Sequence, residues 1–571
     1  VFLKLNPLQT NANWLLKHPL LLFLIILGLY LLAVPVDIME VDSAQYASMA
    51  REMLDRGDFL HVVDRGAEYL DKPPFIFWIS AFFYTLLGVS EFAFKLPSIL
   101  FSILGVFAVF RFTRLFYSER TAWLAALILA TTQGYFHFNN DVRTDTYLTN
   151  SVITSVWMLS EFLQKERLKW LIGASVFIGI AMLAKGPLGL LAPGLAFSTH
   201  FLLKRQWKQF FKWQWLIALL IVLFVLSPML IGLYEQFDLQ PTNVVNGKTG
   251  VSGLRFFFWE QSFGRITGEN VWKNDTGPFF FVHNLAWSFL PWTLAFLFSF
   301  IAVFSSLLIR GLKKLNEKPE WISFGGFLLP FLALSASNYK LPHYIYVTFP
   351  FAAVLTADFL SKLELTTNSV WLKRLNVFQI IVLSCVWIFA AFLFTWFFPL
   401  TNPILIAASL IGLSIFIWSC IKRSNYQLTK YLWLSLTTCF TINLLMATQF
   451  YPSILVYQAP GLLGKDAVEL GIPLDKLYHF NVSGRSMDVY THSVVKELHL
   501  PEIEAKLMEN PVLFIHTNQD GKLQLESNYN CRIIKSRDNY PVTLLSMNFG
   551  NPKTRPGLLE KRFLLEVKRK N

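Results

Sequence analysis

Charge is scarce in this 571-residue chain: Asp, Glu, Lys and Arg together make up only 15% of it. Soluble globular domains carry about a quarter, so a wholly soluble protein is excluded. Acids are scarcer than bases, 37 against 50, which leaves a net charge of +13. That surplus forms no continuous basic face. It is broken into short clusters between apolar runs, so anionic lipid is the expected neighbour and no nucleic acid is. Cysteine is scarcest, with four in all: Cys385, Cys420 and Cys439 fall within apolar runs and Cys531 stands alone. They make neither a disulfide framework nor a zinc-finger pattern. Internal repeats and low-complexity segments are missing too.

Apolar residues are abundant instead. The chain is 54% hydrophobic with 55 Phe and 18 Trp, and its mean hydropathy is +0.45. Fourteen apolar stretches run from 20–36 to 431–451, most of them long enough to cross a bilayer. Basic linkers such as RFTRLFYSER (111–120), QKERLK (164–169) and KRQWKQFFK (204–212) mark the cytoplasmic side. If 20–36, 74–90 and 95–116 all crossed, RFTRLFYSER would land outside. The short run 74–90, opened by Pro73-Pro74, is therefore expected to lie in the interface or re-enter.

The fold class expected is an all-α polytopic membrane protein of about thirteen transmembrane helices. The first run, lacking an A-x-A site, reads as an uncleaved anchor. The N-terminus is placed inside, with residues 1–452 as the membrane domain and 37–94 and 235–283 as its external loops. From 453 to 571 the composition changes to that of a small external α/β domain. There KLYHFNV, PVLFIHT and VTLLSMNF read as strands and DVYTHSVVKEL as a helix.

The unusual polar residues gather on the external face. Asp42 precedes an amphipathic helical pattern and reads equally as an N-cap or as a catalytic carboxylate. Asp71 and Lys72 in YLDKPPF stand at a membrane edge, where unpaired charge is unfavourable. Asp141 and Asp145, four apart beside Arg143, are expected on one helix face. Lys185 in AKGP and Lys340 in YKLPH each stand at a span end. Such lysines commonly snorkel, but three on one sparsely charged face suit an anionic group, most naturally a phosphate. The aromatic loop 235–283 adds Arg265, Asp275 and His283 and reads as a cover over a surface site.

VDSAQYASMAREML, YLDKPPFIFW, GVSEFAFKLPS, VRTDTYLT, AKGP and YKLPHYIYVTFP resemble, in order, the motifs of bacterial C-type membrane glycosyltransferases. The closest resemblance is to the lipid A aminoarabinose transferase family, with protein O-mannosyltransferases as more distant relatives. It implies a bacterial inner-membrane enzyme with a periplasmic C-terminal domain. The enzyme would move a sugar from a polyprenyl-phosphate donor to a lipid or protein acceptor. Asp42 and Asp145 would be the catalytic acids, and Lys72, Lys340, Arg265 and Lys185 would hold the donor phosphate. The resemblance also places a divalent ion (Mg²⁺, Mn²⁺ or Zn²⁺) at Asp71, with Asp275 or His283 beside it. Asp71 stands where the family has a glutamate and Asp275 where the aminoarabinose enzymes have a histidine, so metal use stays open. A transporter or lipid flippase is the alternative. It would place charges at mid-membrane on matching half-repeats, and neither is visible here.

Overall fold

The computed structural model describes residues 18–245, 247–261, 264–267, 274, 276–310, 318–365, 370–424 and 426–570. Each expected apolar run is helical, from Pro19–Leu32 to Gln427–Leu445, although 120–137 and 284–309 each break into two helices. Among the described residues, seven helices are long and apolar enough to cross a membrane. Shorter apolar helices include Leu188–Leu203 and Ile322–Ser335. Local chemistry sets several starts. Ser90 opens Glu91–Phe116 by accepting the Ala93 amide at 3.2 Å, and Ser118 does the same for Thr121 at the next helix. Helix Phe75–Leu87 follows the proline pair and has 13 residues. It is therefore about 20 Å long, against the roughly 30 Å of a hydrocarbon core.

The first loop outside the bundle is ordered. Helix Asp42–Arg56 ends on Gly57, whose φ of 67° is the left-handed stop that glycine adopts freely. A two-residue hairpin follows, with β1 (Val63–Asp64) antiparallel to β2 (Ala67–Glu68). Both turn residues, Arg65 and Gly66, have positive φ, as tight hairpins require.

The C-terminal region forms its own sheet. Strands β3 (Leu477–Phe480), β4 (Leu513–Asn518), β5 (Tyr529–Asn539) and β6 (Glu560–Arg569) lie in the order β3-β4-β6-β5. Only the β3–β4 pair is parallel. The expected strands KLYHFNV and PVLFIHT appear, while two other readings are corrected. DVYTHSVVKEL is helical only to Tyr490. The Thr491 hydroxyl turns back to the Met487 carbonyl at 2.9 Å and His492 takes a positive φ, so the helix cannot continue. VTLLSMNF is a loop ending in the short helix Met547–Gly550, because its buried members Val542 and Phe549 pack on the spans instead of the sheet.

This region is latched to the first loop. Arg65 Nε meets Asp488 at 2.6 Å, Arg485 pairs with Asp64, and Lys465 holds Asp37 at 2.6 Å. Glu40 accepts both the amide and the hydroxyl of Ser486 at 2.6 Å. Burial pushes the Asp488 carboxyl up from its usual range, although Arg65 opposes the shift.

Candidate active site

Asp42 is the first residue of its helix, yet its side chain caps nothing. It forms an ion pair with Arg143 instead. Arg143 belongs to the extended segment between helix Gln133–Asn140 and helix Thr144–Lys165. It also grips Asp141, with Nε at 2.8 Å and a terminal nitrogen at 2.7 Å. Burial disfavours the guanidinium charge, but Asp141 and Asp42 more than reverse this, so its pKa is raised. Asp141 and Asp145 therefore do not share a helix face as expected. Asp141 closes one helix, Asp145 sits in the first turn of the next, and the extended Arg143 between them breaks the periodicity. Burial, reinforced by the Asp42 carboxylate, keeps the Tyr46 phenol protonated beside this pair.

Asp145 takes a different cation. Its carboxylate pairs with Lys185 and lies 3.6 Å from His343 Nε2. Lys185 stands over the Tyr344 ring at 3.7 Å, a cation–π contact that holds the ammonium at the end of its helix. Arg143, Lys185, His137 and Lys72 all act electrostatically on His343. Three cations from different parts of the chain thus act on one histidine, and two of them, Arg143 and Lys185, hold three acids.

Lys72 also lines a cleft whose other walls include Leu60, Val62, Leu70, Met229, Phe256 and Phe257. An apolar trough with an ammonium on its wall can hold an amphiphile by its acidic head. The Asp71 carbonyl accepts Gln261 Nε2 at 2.8 Å, which ties YLDKPPF to the 253–267 loop. Lys340 is buried, and its ammonium donates to the Thr276 carbonyl at 3.1 Å. Its backbone exchanges hydrogen bonds with Asn274 at 3.0 and 2.7 Å. Lys340 thus fastens Asn274 and Thr276 to YKLPH, and none of these contacts reaches Lys72. Asp275 and the Arg265 side chain lie outside the described residues. His283 is exposed on helix Phe280–Ser288. Among the described residues no three His, Cys, Asp or Glu side chains converge as a metal would need, so Asp71 and His283 do not by themselves fit an ion.

A solved structure with the same arrangement decides the fold. ArnT from Cupriavidus metallidurans bound to undecaprenyl phosphate superposes with a TM-score of 0.73 at 15% identity, covering 97% of this chain and 98% of that one. Its apo form gives 0.71 at 16% identity, covering 98% of both chains. The chain shares the fold of that ArnT protein. Sequence comparisons agree with it. A family model described as dolichyl-phosphate-mannose-protein mannosyltransferase matches residues 71–231. An undecaprenyl phosphate-alpha-4-amino-4-deoxy-L-arabinose arabinosyl transferase of Edwardsiella ictaluri is 27% identical over 333 residues, 57% of this chain and 56% of that protein. The same-named protein of Pseudomonas aeruginosa (strain LESB58) is 26% identical over 338 residues, 58% of this chain and 57% of that protein. The chain spans about half the length of these curated relatives.

Within this fold, the sequence under-reads Arg143, His343 and Tyr344. Arg143 is visible only as a neighbour of two acids. His343 and Tyr344 follow Lys340 in YKLPHYIY, where the lysine draws the attention, yet it is they that reach Lys185 and Asp145.

Proposed function

We propose that this protein is a membrane glycosyltransferase. It moves a monosaccharide from a polyprenyl-phosphate carrier to a lipid A-like or protein acceptor at the outer face of a bacterial inner membrane. One observation carries the reading: Lys72, Arg143 and Lys185 all act electrostatically on His343 while Lys72 also lines an apolar cleft. A prenyl phosphate needs both features, a trough for the chain and cations for the head. None of the relatives or structures named above is a transporter.

The sugar's anomeric carbon–oxygen bond breaks as the carrier phosphate leaves, so negative charge grows on that phosphate. Cations fixed beforehand stabilise this charge without reorganising. Lys72 is assigned to the phosphate, with Lys185 next to it, Arg265 as a support from the covering loop and Lys340 as a support from YKLPH. Asp145 positions Lys185. Asp42, the more open of the two acids, orients the acceptor or takes its proton. An acceptor phosphate is already ionised and needs only orientation. Displacement by a single nucleophile inverts the anomeric carbon. No step is routed through a metal ion.

The test is direct. Purified protein in vesicles is given an undecaprenyl-phosphate sugar with a radiolabelled glycosyl group, and label is followed into lipid and protein fractions. Mass spectrometry of envelope lipids and glycoproteins from cells with and without the gene names the acceptor. A donor that remains unconsumed in every vesicle preparation, with envelopes unchanged, refutes the reading.

A further inference from the structure

The connection between β5 and β6 does not pack on the sheet it joins. Val542 and Phe549 are buried in the apolar core shared with the spans. The Phe549 ring stacks on Tyr540 at 4.0 Å, meets Tyr457 at 5.2 Å and lies 6.5 Å from Phe398. Arg555 fastens the connection from the other side. It donates to the carbonyls of Phe397 and Gly550 at 2.7 and 2.8 Å, and its guanidinium stands 4.8 Å from the Phe398 ring. The Tyr540 amide donates to the Tyr457 carbonyl at 2.9 Å. The seat is therefore the end of two candidate spans, Val370–Phe397 and Gln427–Leu455.

Between the two buried anchors every residue from Thr543 to Asn548 is exposed. Three are large and apolar: Leu544 at 70%, Met547 at 66% and Leu545 at 45%. Single exposed apolar residues such as Met508 and Leu523 also occur on this region, and they need no explanation. Three within four positions do. The tether is short: at about 3.5 Å per residue, no side chain here roots more than roughly 10 Å from an anchor. The seat also lies at bilayer level. Trp396 is exposed on the last turn of its span, where tryptophan marks the headgroup layer. Ile388, Phe389 and Phe392 continue an exposed apolar stripe along the same helix. The apolar tip and the lipid-facing stripe are thus neighbours.

We propose that residues 543–548 form a wedge that enters the membrane leaflet on the side of the C-terminal sheet. Leu544, Leu545 and Met547 contact acyl chains, and the exposed Lys553 stands at the rim toward the phosphates of the headgroups. An amphipathic segment of this size sinks about 5–10 Å below the headgroups, which matches the length of the tether. The wedge pins the sheet region to the bilayer at one edge while its Arg485 and Asp488 hold the first loop. It rests on the fold and the lipid-facing stripe, not on glycosyl transfer.

The experiment uses the full chain with Cys385, Cys420 and Cys531 changed to Ser. Buried Cys439 is kept, because its thiol packs against the Thr131 carbonyl. A bimane label is attached at Leu544→Cys, Met547→Cys or, as the control, Leu523→Cys on the helix that packs on β4, β5 and β6. Each protein is placed singly in nanodiscs whose acyl chains carry bromine. The expected result is loss of emission at 544 and 547 and none at 523. Equal emission at all three sites overturns the proposal. So does a label at 544 that is shielded from aqueous iodide yet untouched by lipid bromine, since protein would then be the cover. A Leu544→Gln, Met547→Gln protein gives a second reading: its sheet region should become more open to protease in vesicles but not in detergent. Equal sensitivity in both settings counts against the wedge.

Discussion

Replacing Asp42 by Asn separates stability from catalysis, because the structure makes the two effects unequal. The Asp42 side chain is 37% exposed and pairs with Arg143. Exposed pairs contribute about 0–1 kcal/mol. Losing this one does not strand Arg143, which keeps both of its bonds to Asp141 at 2.7 and 2.8 Å. Helix Asp42–Arg56 also survives, since the Asp42 side chain caps no amide. Stability should therefore fall by less than about 1 kcal/mol. If Asp42 takes the acceptor's proton, turnover should fall about 10²–10⁴-fold, equivalent to roughly 3–5 kcal/mol of barrier. Thermal melts and initial rates on the same purified protein read both numbers, and donor binding should be retained. Near-normal turnover with an unchanged melt would make Asp42 a mere partner of Arg143. A large fall in the melt would show that the pair is structural and that our assignment is wrong.

The buried pair behaves in the opposite way. Lys185→Met leaves Asp145, 2% exposed, without its lysine and should cost about 3–5 kcal/mol; melts should show Asp145→Asn recovering much of it in the double variant, and no recovery would mean the pair is not coupled. Lys72→Ala should weaken binding of undecaprenyl phosphate to vesicle-embedded protein while leaving the melt nearly unchanged, and unaltered affinity would remove Lys72 from the phosphate site. The C-terminal sheet should loosen in acid. His479 and His516 face each other at 2.9 Å with both Nε2 atoms buried and unpartnered, and burial, aided by Arg562, holds His516 down to about 3. A base whose folded pKa is depressed stabilises above its unfolded value, near 6.5, and that stability is lost as pH falls. Between pH 6.5 and about pH 5 His516 should remove roughly 2 kcal/mol, and His479, also held down by burial, should act in the same direction. Amide exchange over 477–518 measures this, and a His479→Gln, His516→Gln protein with the same pH slope as wild type would refute it.

How much of this could be read in advance depended on where the information lay. Apolar runs declare themselves locally, so the helices were legible. Strands β5 and β6 were not, for a physical reason. β5 is a sheet edge bearing Arg532, Lys535, Arg537 and Asp538, and charges that keep an edge from pairing with other chains also erase its alternation. VTLLSMNF misled in the reverse sense: its apolar residues look like a strand, but two of them reach the spans and three face outward. The side-chain types of the site were legible too, since acids and lysines stand out against so apolar a background. Their partners were not. Asp42 meets Arg143 across 101 positions, and no local pattern encodes that.

The same distance effect explains what the C-terminal region does for the site. It supplies none of the candidate catalytic or phosphate-binding side chains. Yet Arg485 reaches Asp64 across 421 positions and Arg65 reaches Asp488 across 423, while Gln458 hydrogen-bonds on both sides of Met39, to the Ile38 carbonyl and the Glu40 amide at 2.8 and 2.7 Å. Asp42 begins two residues later. Its helix is thus held at its start by Gln458 and beyond its end by the hairpin latched to Asp488, while Arg143 holds the carboxylate itself from the bundle. A loop between helix Pro19–Leu32 and helix Phe75–Leu87 has little rigidity of its own. The precision a reacting carboxylate requires, within about half an ångström, has to come from these distant contacts. On the proposed reading of Asp42, the sheet region would therefore act on the chemistry through the backbone of residues 37–64, without touching the reacting atoms.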